Sequence, residues 1–237
     1  MPIRVDNIPE ELRQAEQWVC WREIQTTNGL SKVPINPHSL SFAKVNNINT
    51  WGKFETALEV FIRNKVDGIG FVFSEGDPFI GIDLDDCFRL DGVMFPRIRK
   101  IVDVLDSYTE LSPSREGIHI IVKSPNNVIK KDLPPMKKKG FEIYPRKRFF
   151  TVTSLLLKGA PIKIAERHIE IKKYIDEHDK ALKNANPIEK LIPANTGACP
   201  LCFRFERTLT LYGEGQHSDA CPRSPNFMKD VKKKDTP

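Results

Sequence analysis

The sequence lacks the long apolar segments and the ATPase motif that would place it in several other protein classes. No run of about 18 apolar residues occurs in the 237 residues, so we expect no membrane span. Residues 1–16 are polar and charged, which predicts no signal peptide and a cytoplasmic or nucleoid-associated protein. The pattern G-x-x-x-x-G-K-[ST] is also missing, which excludes a fused P-loop helicase or ATPase domain from this sequence.

Cysteine is scarce and unevenly placed, which argues against a disulfide framework. The chain has five cysteines, an odd number, and three of them lie in one short C-terminal window. We expect the other two, Cys20 and Cys87, to be buried core thiols. The C-terminal window combines C-x₂-C with a later H-x₃-C, and these four ligands suit closed tetrahedral Zn²⁺ better than they suit coincidental free thiols. The predicted zinc ligands are Cys199, Cys202, His217 and Cys221.

Positive charge is concentrated in one stretch of the chain. Residues 123–148 contain nine Lys or Arg but only two acids, a local excess of +7 against +6 for the whole chain. Such a basic patch favours a polyanionic partner, nucleic acid or a triphosphate, although an isolated lysine run is also typical of a solvated loop. The residues of this stretch that we expect to bind nucleic acid are Lys123, Lys137, Lys138, Lys139, Arg146 and Lys147.

Apolar–polar alternation, turn residues and helical spacing predict a chain of mixed strands and helices. The predicted strands are residues 17–24, 32–37 (an edge segment), 69–73, 79–84, 108–111, 118–123, 141–144 and 148–153. The predicted helices are residues 51–64 with Asn49 or Thr50 as cap, a helix beginning at Pro96, and one from Pro161 to about Leu182. The short turn between strands 69–73 and 79–84 predicts a hairpin at the centre of a sheet.

Two aspartates lie at the end of strand 79–84. Side chains alternate along a strand, so Asp83 and Asp85 share one face while Ile82 and Leu84 point into a core. Carboxylates held this close raise one another's pKa unless a cation neutralises them, which makes Mg²⁺ or Mn²⁺ the natural occupant. Such a pair supports metal-assisted phosphoryl transfer, although Asp-x-Asp is also common at solvated strand ends.

A histidine and a glutamate on later strands are candidates for the same site. Ile118, Ile120 and Val122 share one face of their strand, so His119 faces the other way. Glu142 alternates with apolar neighbours in the same manner and would be a third acid. On the residues alone, a satisfied structural histidine and a solvent-facing glutamate remain open and are the commoner cases.

Three short motifs follow one another in the middle of the chain: Asp83-Leu84-Asp85, then Ser112-Pro113-Ser114-x-x-Gly117-x-His119, then Glu142 ahead of Arg148-Phe149-Phe150-Thr151. In order and spacing they resemble the motifs of archaeo-eukaryotic-type primase-polymerases, above all the small phage and plasmid replication enzymes. Trp18-Val19-x-Trp21 and Lys32-x-Pro34-x-x-Pro37 resemble the N-terminal segment of the same enzymes. The likeness covers about residues 15–155, and it departs from the family at Arg115-Glu116, where relatives tend to be richer in glycine.

The resemblance implies a DNA-directed primase-polymerase, a nucleotidyltransferase in which a primer 3′-hydroxyl attacks the α-phosphate of a nucleoside triphosphate. It implies an α+β fold, with an RNA-recognition-like mixed or antiparallel catalytic sheet packed with an N-terminal α/β unit. The implied roles are divalent metal binding by Asp83, Asp85 and Glu142, nucleotide binding by Ser114, Arg115, His119 and Arg148, and nucleic-acid binding by Lys32. DNA template and primer would be partners, and a separate helicase would supply any unwinding.

The expected organisation is a catalytic core with a C-terminal appendage. Residues 1–160 form the core, divided near residue 66 into the N-terminal unit and the catalytic sheet, and residues 161–196 form a helix and linker. Residues 197–224 form the zinc-binding module, and residues 225–237 form a disordered basic tail. Two other functions remain open: a metal-dependent nuclease, because acids with a lysine on a sheet also serve phosphodiester hydrolysis, and a non-catalytic module that binds single-stranded nucleic acid.

Overall fold

The computed structural model describes residues 2–27, 29–124, 133–138 and 140–184. The chain divides into two compact units, Met1–Glu177 and His178–Pro237, and the candidate site lies in the first. Lys139, residues 185–196 of the predicted linker, the four predicted zinc ligands and the basic tail lie outside the described residues. Within the described ranges, no helix is both long and apolar enough to cross a membrane.

Nine strands of the described chain form two antiparallel sheets. The strands are β1 (Trp18–Thr26), β2 (Gly29–Ile35), β3 (Gly68–Phe73), β4 (Phe79–Leu84), β5 (Thr109–Leu111), β6 (Ile118–Lys123), β7 (Met136–Lys138), β8 (Phe141–Tyr144) and β9 (Arg148–Val152). One sheet has the order β2-β1-β3-β9 and the other has the order β5-β6-β4-β8-β7. The predicted α+β class with antiparallel sheets is confirmed, and the first sheet takes strands from both sides of residue 66.

Four helices accompany the sheets in the described part: α1 (Glu10–Arg13), α2 (Phe54–Ile62), α3 (Pro96–Leu105) and α4 (His168–Asn184). The predicted cap of α2 is wrong, because Lys53 occupies the cap position and Asn49 and Thr50 belong to a preceding 3₁₀ turn. The last helix begins at His168 rather than near Pro161. Residues before it run alongside β5 and β6, where backbone hydrogen bonds from Tyr108 and Lys123 hold them extended.

The predicted hairpin between β3 and β4 is wrong, because the two strands lie in different sheets. The carboxylate of Asp77 accepts hydrogen bonds from the backbone N–H groups of Ser74, at 2.5 Å, and Phe79, at 2.7 Å. These bonds fix the connection as the chain leaves one sheet for the other. A Cβ at Gly81 would lie only 2.6 Å from the Phe73 ring, so the glycine allows the two strands to stack closely, face to face.

Two hydrophobic cores fix the direction in which the candidate site faces. Aromatic rings fill the space between the sheets, where Phe73 packs edge-to-face against Phe71 and Phe150 with ring centroids 5.7 and 4.9 Å apart. The second core lies on the other face of the five-stranded sheet, against α3 and α4. Its β4 and β6 members are Ile80, Ile82, Leu84, Ile118, Ile120 and Val122. The face of these strands that carries Asp83 and His119 therefore points toward the four-stranded sheet.

Both cysteines of the described residues are buried free thiols, as predicted. Cys20 and Cys87 have no exposed surface, and burial raises the pKa of each thiol to about 12. A thiol with this pKa stays protonated at neutral pH, so neither side chain is suited to act as a nucleophile or a metal ligand.

Candidate active site

A row of five ionisable side chains crosses the five-stranded sheet at one end of β4. In the strand register, Asp83 lies opposite His119 on one side and opposite Glu142 on the other. His119 in turn lies opposite Glu110, and Glu142 lies opposite Lys137. Residues directly opposite one another in an antiparallel ladder project from the same face. The register therefore places the predicted Asp83, His119 and Glu142 side by side, and this cross-strand row is the candidate active site.

The imidazole of His119 is held between acceptors on both sides. Its Nδ1 lies 3.1 Å from the backbone oxygen of Thr151 and 3.6 Å from Glu110 Oε1, and its Nε2 lies 3.7 Å from Asp83 Oδ1. A carbonyl oxygen can only accept a hydrogen bond, so Nδ1 carries a proton and donates a hydrogen bond to the Thr151 oxygen. The ring also packs against Phe150, with centroids 4.8 Å apart. These contacts leave Nε2 as the nitrogen on the side of Asp83.

The surroundings of Asp83 disfavour the ionised form of its carboxyl. Burial raises the pKa of its carboxyl above the ordinary value, and the neighbouring charges of Asp85 and Glu142 raise it further, while His119 and, more weakly, Arg148 oppose this. Its side chain keeps 24% of its surface exposed. The positive charge around the ionised carboxylate does not balance the effects of burial and of the two other acids. Because the side chain is also reachable from solvent, a cation could bind there and stabilise the ionised form.

Asp85 lies just beyond the end of β4 and is exposed. Its backbone N–H donates to the carbonyl oxygen of Gly140, 3.2 Å away. On its other side the β5–β6 turn comes so close that a Cβ at Gly117 would lie 2.5 Å from the oxygen of Leu84. The first and second sequence motifs therefore touch through their backbones.

The β5–β6 turn presents the rest of the second motif beside Asp85. Ser114 Oγ lies 3.1 Å from Ser112 Oγ and accepts the N–H of Glu116 at 3.3 Å. Arg115 adopts a left-handed backbone with φ of 64° and is exposed. The carbonyl of Glu116 accepts the N–H of Cys87 at 2.7 Å, which ties the turn to the segment that follows Asp85.

Tyr144 contacts Glu142 and two cations, Arg148 and the Lys137 that ends the row. Its hydroxyl donates to Glu142 Oε2, and burial together with this hydrogen bond raises the pKa of the phenol. The Arg148 guanidinium lies 4.8 Å from the centroid of its ring and the Lys137 ammonium 5.4 Å. The predicted triphosphate-binding arginine is therefore on the same side of the molecule as the predicted metal ligands.

The carboxylates suit Mg²⁺ or Mn²⁺ in ligand type, since both ions prefer oxygen donors. Among the described residues, however, no group of three or more His, Cys, Asp or Glu side chains is arranged to hold a metal ion. Mg²⁺ in nucleotide-dependent enzymes is commonly bound by one or two carboxylates, with substrate phosphates and water completing its shell. Asp83, Asp85 and Glu142 fit that incomplete kind of site.

Lys123 and Lys138, two predicted nucleic-acid contacts on this sheet, lie at different distances from the row and differ in exposure and partners. Lys123 lies opposite Phe79, four residues along β6 from His119 and so about 13 Å away, and it pairs with Glu11 at 2.8 Å. The structure does not bring it to the cross-strand row. Lys138 lies on the edge strand β7, next to Lys137, and is exposed.

The remaining predicted nucleic-acid contacts lie away from the row or in the turn before β9. Arg146 and Lys147 approach Glu75 at 4.0 and 3.0 Å, so an acid shares that turn. Lys32 belongs to β2 in the other sheet and lies 5.9 Å from the centroid of the Trp21 ring. The contacts described for Lys147 and Lys32 are therefore with Glu75 and Trp21.

Glu110 is the member of the row that sequence reasoning missed. It is 1% exposed and accepts hydrogen bonds from Tyr108, Thr153 and Ser154. The available signal was a glutamate inside a short strand that is otherwise apolar or uncharged. Its meaning depends on the pairing of β5 with β6, which places it opposite His119 and which the sequence does not encode locally.

Comparison with known proteins finds a similarity over most of the chain. No family model matches the chain. The chain is 32% identical over 177 residues to a DNA primase-polymerase of Nitratiruptor phage NrS-1, a match that covers 73% of this chain and 24% of the phage protein. The chain thus spans about a quarter of that relative's length. The match is therefore to part of the phage protein, and the three sequence motifs described above lie together at one end of β4.

Proposed function

We propose that this chain is a template-dependent nucleotidyltransferase, a DNA primase-polymerase that adds nucleotides to a 3′-hydroxyl. The observation that carries the proposal is the position of Asp83, in register between His119 and Glu142 and beside Asp85. A half-buried acid with two further acids and a histidine as neighbours destabilises the fold when it is ionised, so its presence favours a functional role. The similarity to a phage primase-polymerase supports the same conclusion.

In the proposed reaction, the 3′-oxygen forms a bond to the α-phosphorus as the bond between that phosphorus and the departing pyrophosphate breaks. Asp83, Asp85 and Glu142 would hold divalent Mg²⁺ or Mn²⁺, and the bound metal would activate the attacking oxygen and neutralise charge on the phosphates. The chain's own side chains place the nucleotide. His119 presents Nε2, and Ser114 and Arg115 present a hydroxyl and a cation from the adjoining turn. Arg148 and Lys137 supply positive charge near Glu142, because both lie against the ring of Tyr144, whose hydroxyl donates to Glu142.

Nucleic acid would reach this site along the exposed lysines of β7. Lys137 projects from this edge strand on the face of the acids, Lys138 is the exposed residue after it on the opposite face, and Lys139 follows directly in sequence. Backbone phosphates bind such cations without regard to sequence, which suits a template that changes at every step. Cys199, Cys202, His217 and Cys221 would bind a structural zinc, because their spacing supplies four ligands and leaves no open coordination position.

The test is nucleotide incorporation by the full chain on defined DNA. A labelled primer on a longer template, and a template without primer, are each incubated with Mg²⁺ or Mn²⁺ and with deoxynucleotides or ribonucleotides. The proposal expects template-directed extension with at least one nucleotide set. Degradation of the labelled DNA instead would favour the nuclease, and tight DNA binding with no product under any condition would favour the non-catalytic module.

A further inference from the structure

Glu110 is a buried carboxylate to which the proposed reaction gives no role. It lies on β5, the edge strand of the five-stranded sheet, and only 1% of its surface is exposed. A buried carboxylate is costly unless hydrogen bonds satisfy its oxygens. Three donors do so here: the Tyr108 hydroxyl at 2.7 Å, the Ser154 N–H at 2.8 Å and the Thr153 N–H at 3.0 Å. Burial and the charge of Glu110 raise the pKa of the Tyr108 phenol well above its ordinary value.

Nδ1 of His119 has two acceptors near it, the Glu110 carboxylate itself and the Thr151 carbonyl, and Glu110 also holds the segment that follows Thr151. Its Oε1 lies 3.6 Å from Nδ1. Its hydrogen bonds from Thr153 and Ser154 hold the chain just after β9, two residues beyond Thr151, whose carbonyl accepts the Nδ1 proton. Ser154 adopts a left-handed backbone with φ of 57°, and its N–H donates to the carboxylate. Replacing Glu110 would therefore remove the carboxylate beside Nδ1. It would also release the end of β9, which carries the Thr151 carbonyl that accepts from Nδ1.

We propose that Glu110 is the positioning residue that holds His119 with Nε2 toward the nucleotide phosphates. This proposal rests on the proposed function. Glu110 does not touch substrate. It provides one acceptor beside Nδ1 and holds the strand end that carries the other, the Thr151 carbonyl, so Nδ1 keeps its proton and the second proton of the imidazolium lies on Nε2, where it can be donated to a phosphate oxygen. It also fixes the tilt of the ring between β6 and β9. Glu110, His119 and Asp83 then lie next to one another across three strands, from the buried glutamate on the edge strand to the partly exposed aspartate.

A purely structural role for Glu110, as a latch for the end of β9, makes a different prediction. A latch affects the free energy of unfolding but leaves the orientation of His119 unchanged in the folded protein. Tyr108→Phe serves as the matched control, because it removes one hydrogen bond to Glu110 Oε2 while leaving Oε1 beside His119. Glu110→Gln keeps the size of the side chain and removes its charge. Glu110→Asp keeps the charge and withdraws it by one methylene.

The experiment compares these three variants of the full chain with the wild type. The measurements are the melting temperature, the DNA dissociation constant, the nucleotide KM and kcat for extension, and the ¹⁵N signals of the His119 ring by NMR. We expect Glu110→Gln to raise the nucleotide KM about tenfold, as loss of a contact to a charged group commonly does, with DNA affinity unchanged and the Nδ1 signal displaced. Glu110→Asp should change KM and the ring signals in the same direction. Tyr108→Phe should lower only the melting temperature.

Wild-type KM and ring signals in Glu110→Gln would overturn the proposal. If that variant does not fold, Glu110→Asp decides in its place by the same two readouts. Failure of the proposed function looks different, because the wild type itself would then incorporate no nucleotide. In that case the ring signals still test whether Glu110 holds His119, since they need no substrate.

Discussion

Replacing Gly117 with alanine should damage the fold at the point where the second motif touches the first. The new Cβ would lie 2.5 Å from the Leu84 oxygen, and real Cβ contacts essentially never fall below 3.0 Å, so the backbone must move by about 0.5 Å. Overpacking against backbone costs about 1–3 kcal/mol. For a chain of this length that corresponds to a fall of about 2–12 °C in the melting temperature. The shift would also move Asp85, whose Cα lies 3.5 Å from the added atom.

The control for this change is Gly76→Ala. A Cβ there would meet only Ser74 Oγ at 3.9 Å, and the residue is exposed. Thermal unfolding followed by circular dichroism, with and without nucleotide, compares the two variants. We expect Gly76→Ala to melt within about 1 °C of the wild type, as neutral surface changes do. If Gly117→Ala melts as high as Gly76→Ala, the close approach of the two motifs is refuted.

Three further predictions concern charge, nucleic acid and zinc. Because the folded state raises the pKa of Asp83, its ionisation destabilises the protein as pH rises from the ordinary aspartate pKa through the raised value. Asp83→Asn should therefore melt higher than the wild type at pH 7.5 in chelator, and this difference should shrink near pH 4; a constant difference would contradict it. Replacing Lys137, Lys138 and Lys139 with Gln should reduce the log–log salt slope of single-strand binding by about 0.7 per lost contact, whereas an unchanged slope identifies a solvated loop. A chain ending near Pro193 should extend a supplied primer but start few primers and contain no zinc; undiminished initiation would give the zinc segment another task.

Alternation along strands was enough to predict the central residues of the site. A period of two places Asp83 and His119 opposite the apolar faces of β4 and β6, and it does so whichever strands become neighbours. For the same reason the strands themselves were predicted nearly in full, apart from the three-residue β7. Local pattern carries this information because each strand has one core face.

The sequence did not predict which strands pair with one another or which distant side chains come into contact. A short connection between two apolar strands favours a hairpin, yet Asp77 and the close packing at Gly81 direct β3 and β4 into separate sheets. Long-range ion pairs are equally hidden: Lys123 belongs to the basic stretch but pairs with Glu11, 112 residues away. Glu110 was missed for the same reason, since its neighbours come from β6 and from the end of β9.

The measurement that tests the account most directly is nucleotide incorporation by Asp83→Ala and Asp85→Ala beside the wild type. Primer extension is followed at saturating nucleotide and Mn²⁺, with DNA affinity and melting temperature measured on the same preparations. If the row of acids performs the chemistry, each variant loses at least about a hundredfold in rate, the scale seen when one group that stabilises transition-state charge is removed. Both variants should still fold and bind the primer-template. Near-normal extension by either variant would contradict the assignment of the site.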